Sequence, residues 1–529
     1  MARVGWLPRV VGSVDIEESG LTLAQEVEQG QAVKVPMWIG GAEVDAADGR
    51  TIDVLNPATG GTIATVPAGQ AEDIDRAARA AQDAFDNGPW PRLSIQDRAK
   101  VLNGFADRLE ERLQDLFRLE TTNNGRPVIE TRAQLGRLPE WYRYNAALLL
   151  AQRSDVVPMK GPYLNYLERF PLGVCGILPP FNHPLMILSK SLAPALATGN
   201  TVVIKPSELT PLTTLELAKV AAEAGIPDGV INVVTGIGEE AGAPLADHEL
   251  IAKITFTGST EVGKLVAASA AKRLARATTE LGGKAPVLVF ADSGVERAVA
   301  GASFGAFIAA GQTCICGSRV LVEESIYEEF VEGFSARAES IRIGDPGDES
   351  TQLGPVISAR QQERVLSYAE IGVSEGARLV TGGGRPMLDP PLDNGFFVEP
   401  GVLADVDNEA RAAQEEIFGP LAVVVPFADE ADAIAKANSV PFGLGSAVWT
   451  RDVARAHRVA GQIEAGMVWV NDHHRLDPAS PWGGVKESGI GREGGWESFH
   501  DFTHIRSVTV RTAEDDVDWY AEGAPRRLN

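Results

Sequence analysis

Two short stretches hold the side chains best suited to covalent chemistry: Thr278-Thr279-Glu280-Leu281-Gly282-Gly283-Lys284 and Gly311-Gln312-Thr313-Cys314-Ile315-Cys316-Gly317. The first offers a carboxylate on what reads as a glycine-flanked turn, and the second offers a thiol on another, 34 positions further on. A thiol attacks as thiolate, and an unperturbed pKa of about 8.5 leaves roughly a few per cent ionised at neutral pH unless the site helps. A carboxylate nearby can act as general base, toward the thiol or toward a water attacking a thiol ester. A plainer reading stands beside this one: a buried thiol as a small hydrophobe and Glu280 as a solvated charge at a helix end. Cys314 and Cys316 are too close in sequence for an ordinary disulfide, and no second ligand pair for zinc lies near them, so no metal is expected.

The elements that must position these groups alternate along the chain. Gly173–Leu178, Thr201–Ile204, Val230–Val234 and Lys253–Phe256 are short apolar runs separated by Ala/Leu-rich stretches of helical length. Such alternation predicts a parallel sheet covered on both faces, with ligands at the carboxyl ends of its strands. One such end, Thr257-Gly258-Ser259-Thr260, runs into a helix whose free N–H groups and dipole suit a phosphate, though Gly-Ser-Thr is also an ordinary helix start. The Gly-x-Gly-x-x-Gly dinucleotide fingerprint is absent at this strand end. A second alternating segment follows from Val287 to about residue 491, with strands near Val287, Arg319, Leu421 and Met467 and helices near Ile326–Ile341 and Asp429–Ala437.

Ahead of this core, Ile39-Gly40-Gly41 and Asp48-Gly49 read as hairpin turns and Asn56-Pro57-Ala58-Thr59-Gly60 as another turn. Asp73–Phe85 has helical spacing. Ser94 and Asp97 open a long helix whose Leu102, Phe105, Leu109, Leu113 and Leu116 form a core stripe, ended by Asn123-Asn124-Gly125-Arg126-Pro127. Tyr163–Arg169 alternates like a strand of a half-exposed sheet. Residues 1–35, with an acidic patch at Asp15, Glu17 and Glu18 and a Gln/Glu run from Gln25 to Gln31, read as an appended arm or extra helix. The tail from Thr512 shows no periodicity.

A chain of 529 residues calls for two or three domains, and 44% apolar with 23% charged residues is ordinary for a soluble globular protein. A formal charge of −24 argues against nucleic-acid and anionic-membrane partners, which need a basic face. Three cysteines (Cys175, Cys314, Cys316), no apolar run of membrane-spanning length and no signal-peptide pattern point to the cytoplasm.

Six motifs in register then carry a resemblance: Pro180-Phe181-Asn182-His183-Pro184, Lys205-Pro206-Ser207-Glu208, Phe256-Thr257-Gly258-Ser259, Glu280-Leu281-Gly282-Gly283-Lys284, Gly311-Gln312-Thr313-Cys314 and Glu415-Glu416-Ile417-Phe418-Gly419-Pro420. Together they resemble the aldehyde dehydrogenase superfamily, over residues 36 to 511. The resemblance implies an α/β fold with a Rossmann-like cofactor domain (36–152 and 172–284), a second α/β catalytic domain (285–490) and a small bridging sheet (153–171 and 491–511) that joins subunits into homodimers or homotetramers. Residues 1–35 and 512–529 would be an extension and a tail.

It also implies NAD-dependent oxidation of an aldehyde to a carboxylic acid through a cysteine thiohemiacetal and thioester. Cys314 would be the nucleophile, Glu280 the base that releases the acid, and the Asn182 amide with the Cys314 N–H the oxyanion hole. Lys205 and Glu208 would take the adenosine ribose, Gly258 and Ser259 the pyrophosphate, Glu416 the nicotinamide ribose, and Phe418 would lie beside the nicotinamide. A carboxylate at Glu208 repels a 2′-phosphate, so NAD is preferred to NADP. Two alternatives stay open: a coenzyme-A-acylating semialdehyde dehydrogenase, against which Glu280 speaks, and a silent NAD-binding structural homologue.

Departures from the family pattern fall at four places. The lysine common nine residues after the asparagine falls on Ser191, and Lys190, about 100° away on a helix, is not an obvious substitute. Ala309 stands where an asparagine is usual, which is expected to loosen the loop before Cys314. His183 reads as a packing or turn residue, and Cys316 as structural. The loop Asn471-Asp472-His473-His474-Arg475-Leu476-Asp477-Pro478 is either an aldehyde entrance favouring a polar or carboxylate-bearing substrate, or a solvated loop or subunit contact. Trp482 lines an aromatic pocket or sits in the core.

Overall fold

The apolar runs of the sequence gather into two large sheets. A computed structural model describes residues 22–30, 32–514, 520 and 522–523. The acidic patch at Asp15, Glu17 and Glu18, Gln31 and most of the tail beyond Thr512 lie outside the described residues. Within them, Thr22 and Gln25 form a capping box that opens a short helix, Leu23–Glu28. Its Ala24 and Val27 are buried in the same core as the long helix Ile95–Asn124.

The first sheet has eight strands in the order Gly489–Ile490, Arg276–Glu280, Ile251–Thr257, Val174–Leu178, Thr201–Ile204, Ile231–Val233, Met37–Ile39 and Ala42–Val44. The five from Arg276–Glu280 to Ile231–Val233 are mutually parallel, and the edges are antiparallel. Their side chains are nearly all buried, as a sheet covered on both faces requires. Chain order reverses at Val174–Leu178: the next two strands, Thr201–Ile204 and Ile231–Val233, add on one side of it, and the following two, Ile251–Thr257 and Arg276–Glu280, on the other. That reversal opens a crevice at the carboxyl ends of the strands.

The second sheet has seven strands, in the order Arg378–Thr381, Gly401–Ala404, Leu421–Phe427, Arg319–Glu323, Pro286–Val289, Gly445–Trp449 and Met467–Val470. All neighbours are parallel except the first pair. A separate apolar core surrounds it. A third sheet pairs Thr503–Arg511 with Tyr163–Pro171 along nine residues in antiparallel register, with Val156–Val157 outside. Val156, Leu164, Ile505 and Val510 on these strands are exposed.

Two local expectations change. Asp48-Gly49 forms a turn, but the strands on either side of it, Ala42–Val44 and Thr51–Leu55, belong to different sheets, so it closes no hairpin. Glu280 is the last residue of the strand Arg276–Glu280 and not part of a turn. Partners on both sides, Thr257 and Gly489, hold this polar run in register, and pairing outweighs its weak intrinsic pattern. The short strand Gly489–Ile490 thus belongs to the first sheet, and the helix Gly495–Asp501 packs its Phe499 into the first core. No helix among the described residues is long and apolar enough to cross a membrane.

Candidate active site

Carboxyl ends of neighbouring strands deliver most of the candidate residues to one crevice. Val174–Leu178 leads to Asn182, Thr201–Ile204 to Lys205, Ile251–Thr257 to Gly258 and Ser259, and Arg276–Glu280 ends on Glu280. Gly258 donates its N–H to the Glu280 carbonyl at 3.1 Å, tying the two loops together. Ser259 caps the helix Thr260–Lys272, its hydroxyl accepting from the Val262 N–H.

The second sheet supplies the thiol. Cys314 lies in the loop ahead of Arg319–Glu323, half-buried, packed against the cluster of Ile315, Leu444 and Trp482. Asn182 reaches it from the first sheet: its amide donates to the Gln312 carbonyl at 2.8 Å, two residues before the thiol. An amide carries two N–H donors, so one remains for a ligand. Asn124 holds the asparagine's backbone by donating to the Phe181 and Asn182 carbonyls.

Gly282 and Gly283 explain themselves by contact. A Cβ on Gly283 would stand 2.4 Å from the Cys314 carbonyl oxygen, and one on Gly282 2.5 Å from Glu416 Oε2. The Gly283 N–H donates to Glu416 Oε1 at 2.9 Å. This joint therefore seats the thiol loop and Glu416 against the end of the first sheet. Phe418 sets its ring edge-on to Phe181 at 5.7 Å between centroids. Lys205, 5% exposed, pairs with the more open Glu208 at 3.3 Å.

Electrostatics here are those of a closed, carboxylate-rich space. Glu280 is 3% exposed, and neither carboxyl oxygen has a hydrogen-bond partner. Burial, reinforced by Glu493, pushes its pKa well above the usual carboxylate range, while Lys190 and Arg492 pull against it. Burial likewise pushes the Cys314 thiol up to about 12, with Glu280, Glu416 and Glu493 adding to the rise and Lys190 opposing it. Both shifts favour the protonated forms.

Lys190 overturns an expectation. It lies 3% exposed with its Nζ 3.6 Å from Glu493 Oε2 and 3.7 Å above the Trp482 ring. Lys190 and Ser191 both lie inside the helix Pro184–Ala197, about 100° apart, and the length of the lysine side chain brings it to the same carboxylate as the serine. Ser191 donates to Glu493 Oε1 at 3.1 Å. Glu493 is the residue that the sequence reading missed, since its Gly-Arg-Glu-Gly-Gly surroundings show no period.

Ala309 also departs from expectation. Ala309 and Ala310 both sit in the left-handed region, at φ 53° and 51°. The Glu130 carboxylate accepts from the Ala309 N–H at 3.1 Å, so the loop is clamped and not loosened. In the 471–478 loop, His473 is buried between Gly305 and Gly317 and stacked on Trp469, whereas Arg475 is exposed and paired with Asp472. His474 hydrogen-bonds to the thiol loop, its Nε2 3.1 Å from the Thr313 hydroxyl. Cys316 is buried against the Ala306 carbonyl.

The profile of the aldehyde dehydrogenase family matches residues 44–508. The chain belongs to that family. The enzyme is 42% identical to the mitochondrial aldehyde dehydrogenase of Sus scrofa, over 89% of this chain and 90% of that protein. It is 39% identical to the phenylacetaldehyde dehydrogenase of Pseudomonas fluorescens, over 93% and 99%. Among solved structures, the betaine aldehyde dehydrogenase of Staphylococcus aureus in complex with NAD+ superposes with a TM-score of 0.90 at 37% identity, covering 92% of this chain and 96% of that one.

Proposed function

We propose that this enzyme oxidises an aldehyde to its carboxylic acid with NAD, using Cys314 as nucleophile, Glu280 as base and Asn182 as oxyanion donor. The observation that carries the assignment is the convergence of these three at the switch-point crevice, where Asn182 and Gly283 both touch the Cys314 loop.

Residues of the crevice fit the dinucleotide. Glu208 would accept from ribose hydroxyls, the N-terminus of Thr260–Lys272 at Gly258 and Ser259 would face the pyrophosphate, and Glu416 would take the second ribose. Lys205 is already engaged by Glu208, so it is not free to neutralise a 2′-phosphate, which favours NAD over NADP. When bound, NAD+ supplies a positively charged ring that accepts hydride.

The chain's own residues do the rest. The thiolate of Cys314 adds to the carbonyl carbon while the second Asn182 N–H and the Cys314 N–H hold the developing oxyanion. Glu280, once ionised, takes a proton from the water that attacks the thioester. Lys190 lowers the cost of that ionisation, and Glu493 fixes the lysine.

We further place residues 36–152 and 172–284 in a cofactor domain, 285–490 in a catalytic domain, and 153–171 with 491–511 in a bridging element. The exposed apolar residues of the third sheet support assembly into a homodimer or homotetramer. Three free cysteines fit a cytoplasmic setting.

The test is NADH formation, followed by absorbance, over a panel of aldehydes with NAD and NADP in parallel. Cys314→Ala should abolish it, and Asn182→Ala should lower kcat on the order of a hundredfold. An Asn182→Ala enzyme working at the parent rate would sink the oxyanion assignment.

A further inference from the structure

Around the thiol, most side chains are buried, but Gln134, Phe181, His183, Cys314, His474 and Leu476 each keep part of their surface open. Residues that stay partly open among buried neighbours line a passage. Two of its members are chemically coupled to the reacting groups: His183 follows Asn182 directly, and His474 touches Thr313, which precedes Cys314. The Arg137 guanidinium latches the far wall by donating to the Leu476 carbonyl at 2.7 Å.

The polar groups of this passage form a connected set. His183 Nδ1 lies 3.1 Å from Gln134 Oε1, and the same oxygen accepts from Arg126 at 2.8 Å. His474 Nδ1 lies 2.7 Å from His473 Nδ1, while its Nε2 faces Thr313. Burial holds both imidazoles well below the usual histidine range, so they are neutral and able to donate or accept. Neighbouring cations are already paired: Arg126 with Glu120 and Glu130, Lys190 with Glu493, Arg137 with Glu140. Metal binding does not account for the two histidines, since among the described residues no group of three metal-ligating side chains occurs.

We propose that the aldehyde oxidised here carries a second hydrogen-bonding oxygen remote from its CHO group, held by Nε2 of His183 with Gln134 behind it on Nδ1, while His474, engaged at both nitrogens by His473 and Thr313, forms the wall beside it. The inference rests on Cys314 as the nucleophile. An alkyl or aryl chain would leave Nε2 of His183 desolvated without a partner, which is how a polar site rejects an apolar analogue. Hydroxyl and carboxylate share the chemistry that this imidazole recognises, and matched substrates separate them.

The experiment measures kcat/KM with NAD for phenylacetaldehyde against 4-hydroxyphenylacetaldehyde and for pentanal against glutarate semialdehyde. Variants are His183→Phe and His183→Gln. In the parent, at least one oxygen-bearing member should exceed its apolar partner by about tenfold or more. Which member does so identifies hydroxyl or carboxylate. That ratio should collapse toward one in His183→Phe and be partly restored in His183→Gln, with the change mainly in KM. A parent ratio near one in both pairs, or a ratio that survives His183→Phe, overturns the inference while leaving the oxidation itself standing. Absence of NADH from every aldehyde would instead overturn the oxidation, and this inference with it.

Discussion

Substituting Gly283 with alanine tests whether the joint between the two sheets sets the position of the nucleophile. The new Cβ would stand 2.4 Å from the Cys314 carbonyl oxygen, where real Cβ contacts do not fall below 3.0 Å. Something must therefore move by at least about 0.6 Å. Residue 283 has little room to retreat: Leu444 Cβ lies 3.3 Å from the same position, and the Gly283 N–H is committed to Glu416. The thiol loop yields instead. A misplacement of about 1 Å at a reacting centre costs on the order of a hundredfold, so kcat should fall by roughly ten- to a hundredfold. The assay is the single-turnover rate of NADH formation beside steady-state kcat, with thermal unfolding as the check on folding. Gly104, exposed on the helix Ile95–Asn124 with nothing within 4 Å of an added Cβ, provides the control. Gly104→Ala should keep parent kinetics and gain about 0.5–1 kcal/mol of stability. A Gly283→Ala enzyme that is folded and forms NADH at the parent rate would refute the positioning argument.

Lys190→Met removes a cation that favours ionised Glu280, so the acidic limb of the kcat profile should move to higher pH; an unmoved limb would separate Lys190 from the base. Glu416, pushed up to about 7 by burial, binds ribose hydroxyls best as carboxylate, so NAD affinity measured by calorimetry should tighten from pH 6 to pH 8, and Glu416→Gln should flatten that dependence. Ile505→Asp in the third sheet should reduce the mass seen by light scattering with little change in secondary structure by circular dichroism, and an unchanged mass would place the assembly surface elsewhere.

What could be read from the sequence was what local pattern encodes. The stripe from Leu102 to Leu116 forms a helix because its apolar spacing matches the helical repeat, and only Leu113 remains partly open. Ser259 was legible as a helix cap for the same local reason. The site residues Asn182, Lys205 and Glu280 stood out because each belongs to a short motif, although Glu280 reads as part of a turn and ends a strand. Lys190 and Glu493 did not, since their pairing joins residues about 300 positions apart through a tertiary contact that no local pattern encodes. The strands Gly401–Ala404 and Gly445–Trp449 escaped notice because glycine and alanine dilute the β-branched pattern, and their parallel neighbours in the sheet supply what they lack. Arg475 misled in the opposite sense, promising charge at the entrance and delivering a surface ion pair.

The strand Gly489–Ile490 lies against Arg276–Glu280 although some 210 residues separate Glu280 from Ile490. During synthesis at about 5–20 residues per second, the edge that carries Glu280 waits roughly 10–40 s for its neighbour to leave the ribosome. Through that interval it presents unpaired backbone groups, the kind of edge on which nascent chains cross-pair. The same segment later returns to the first core through Phe499 before forming the third sheet. Sealing of that edge and the fitting of Glu280 into its final surroundings are thus one event, timed by arrival of the C-terminal stretch.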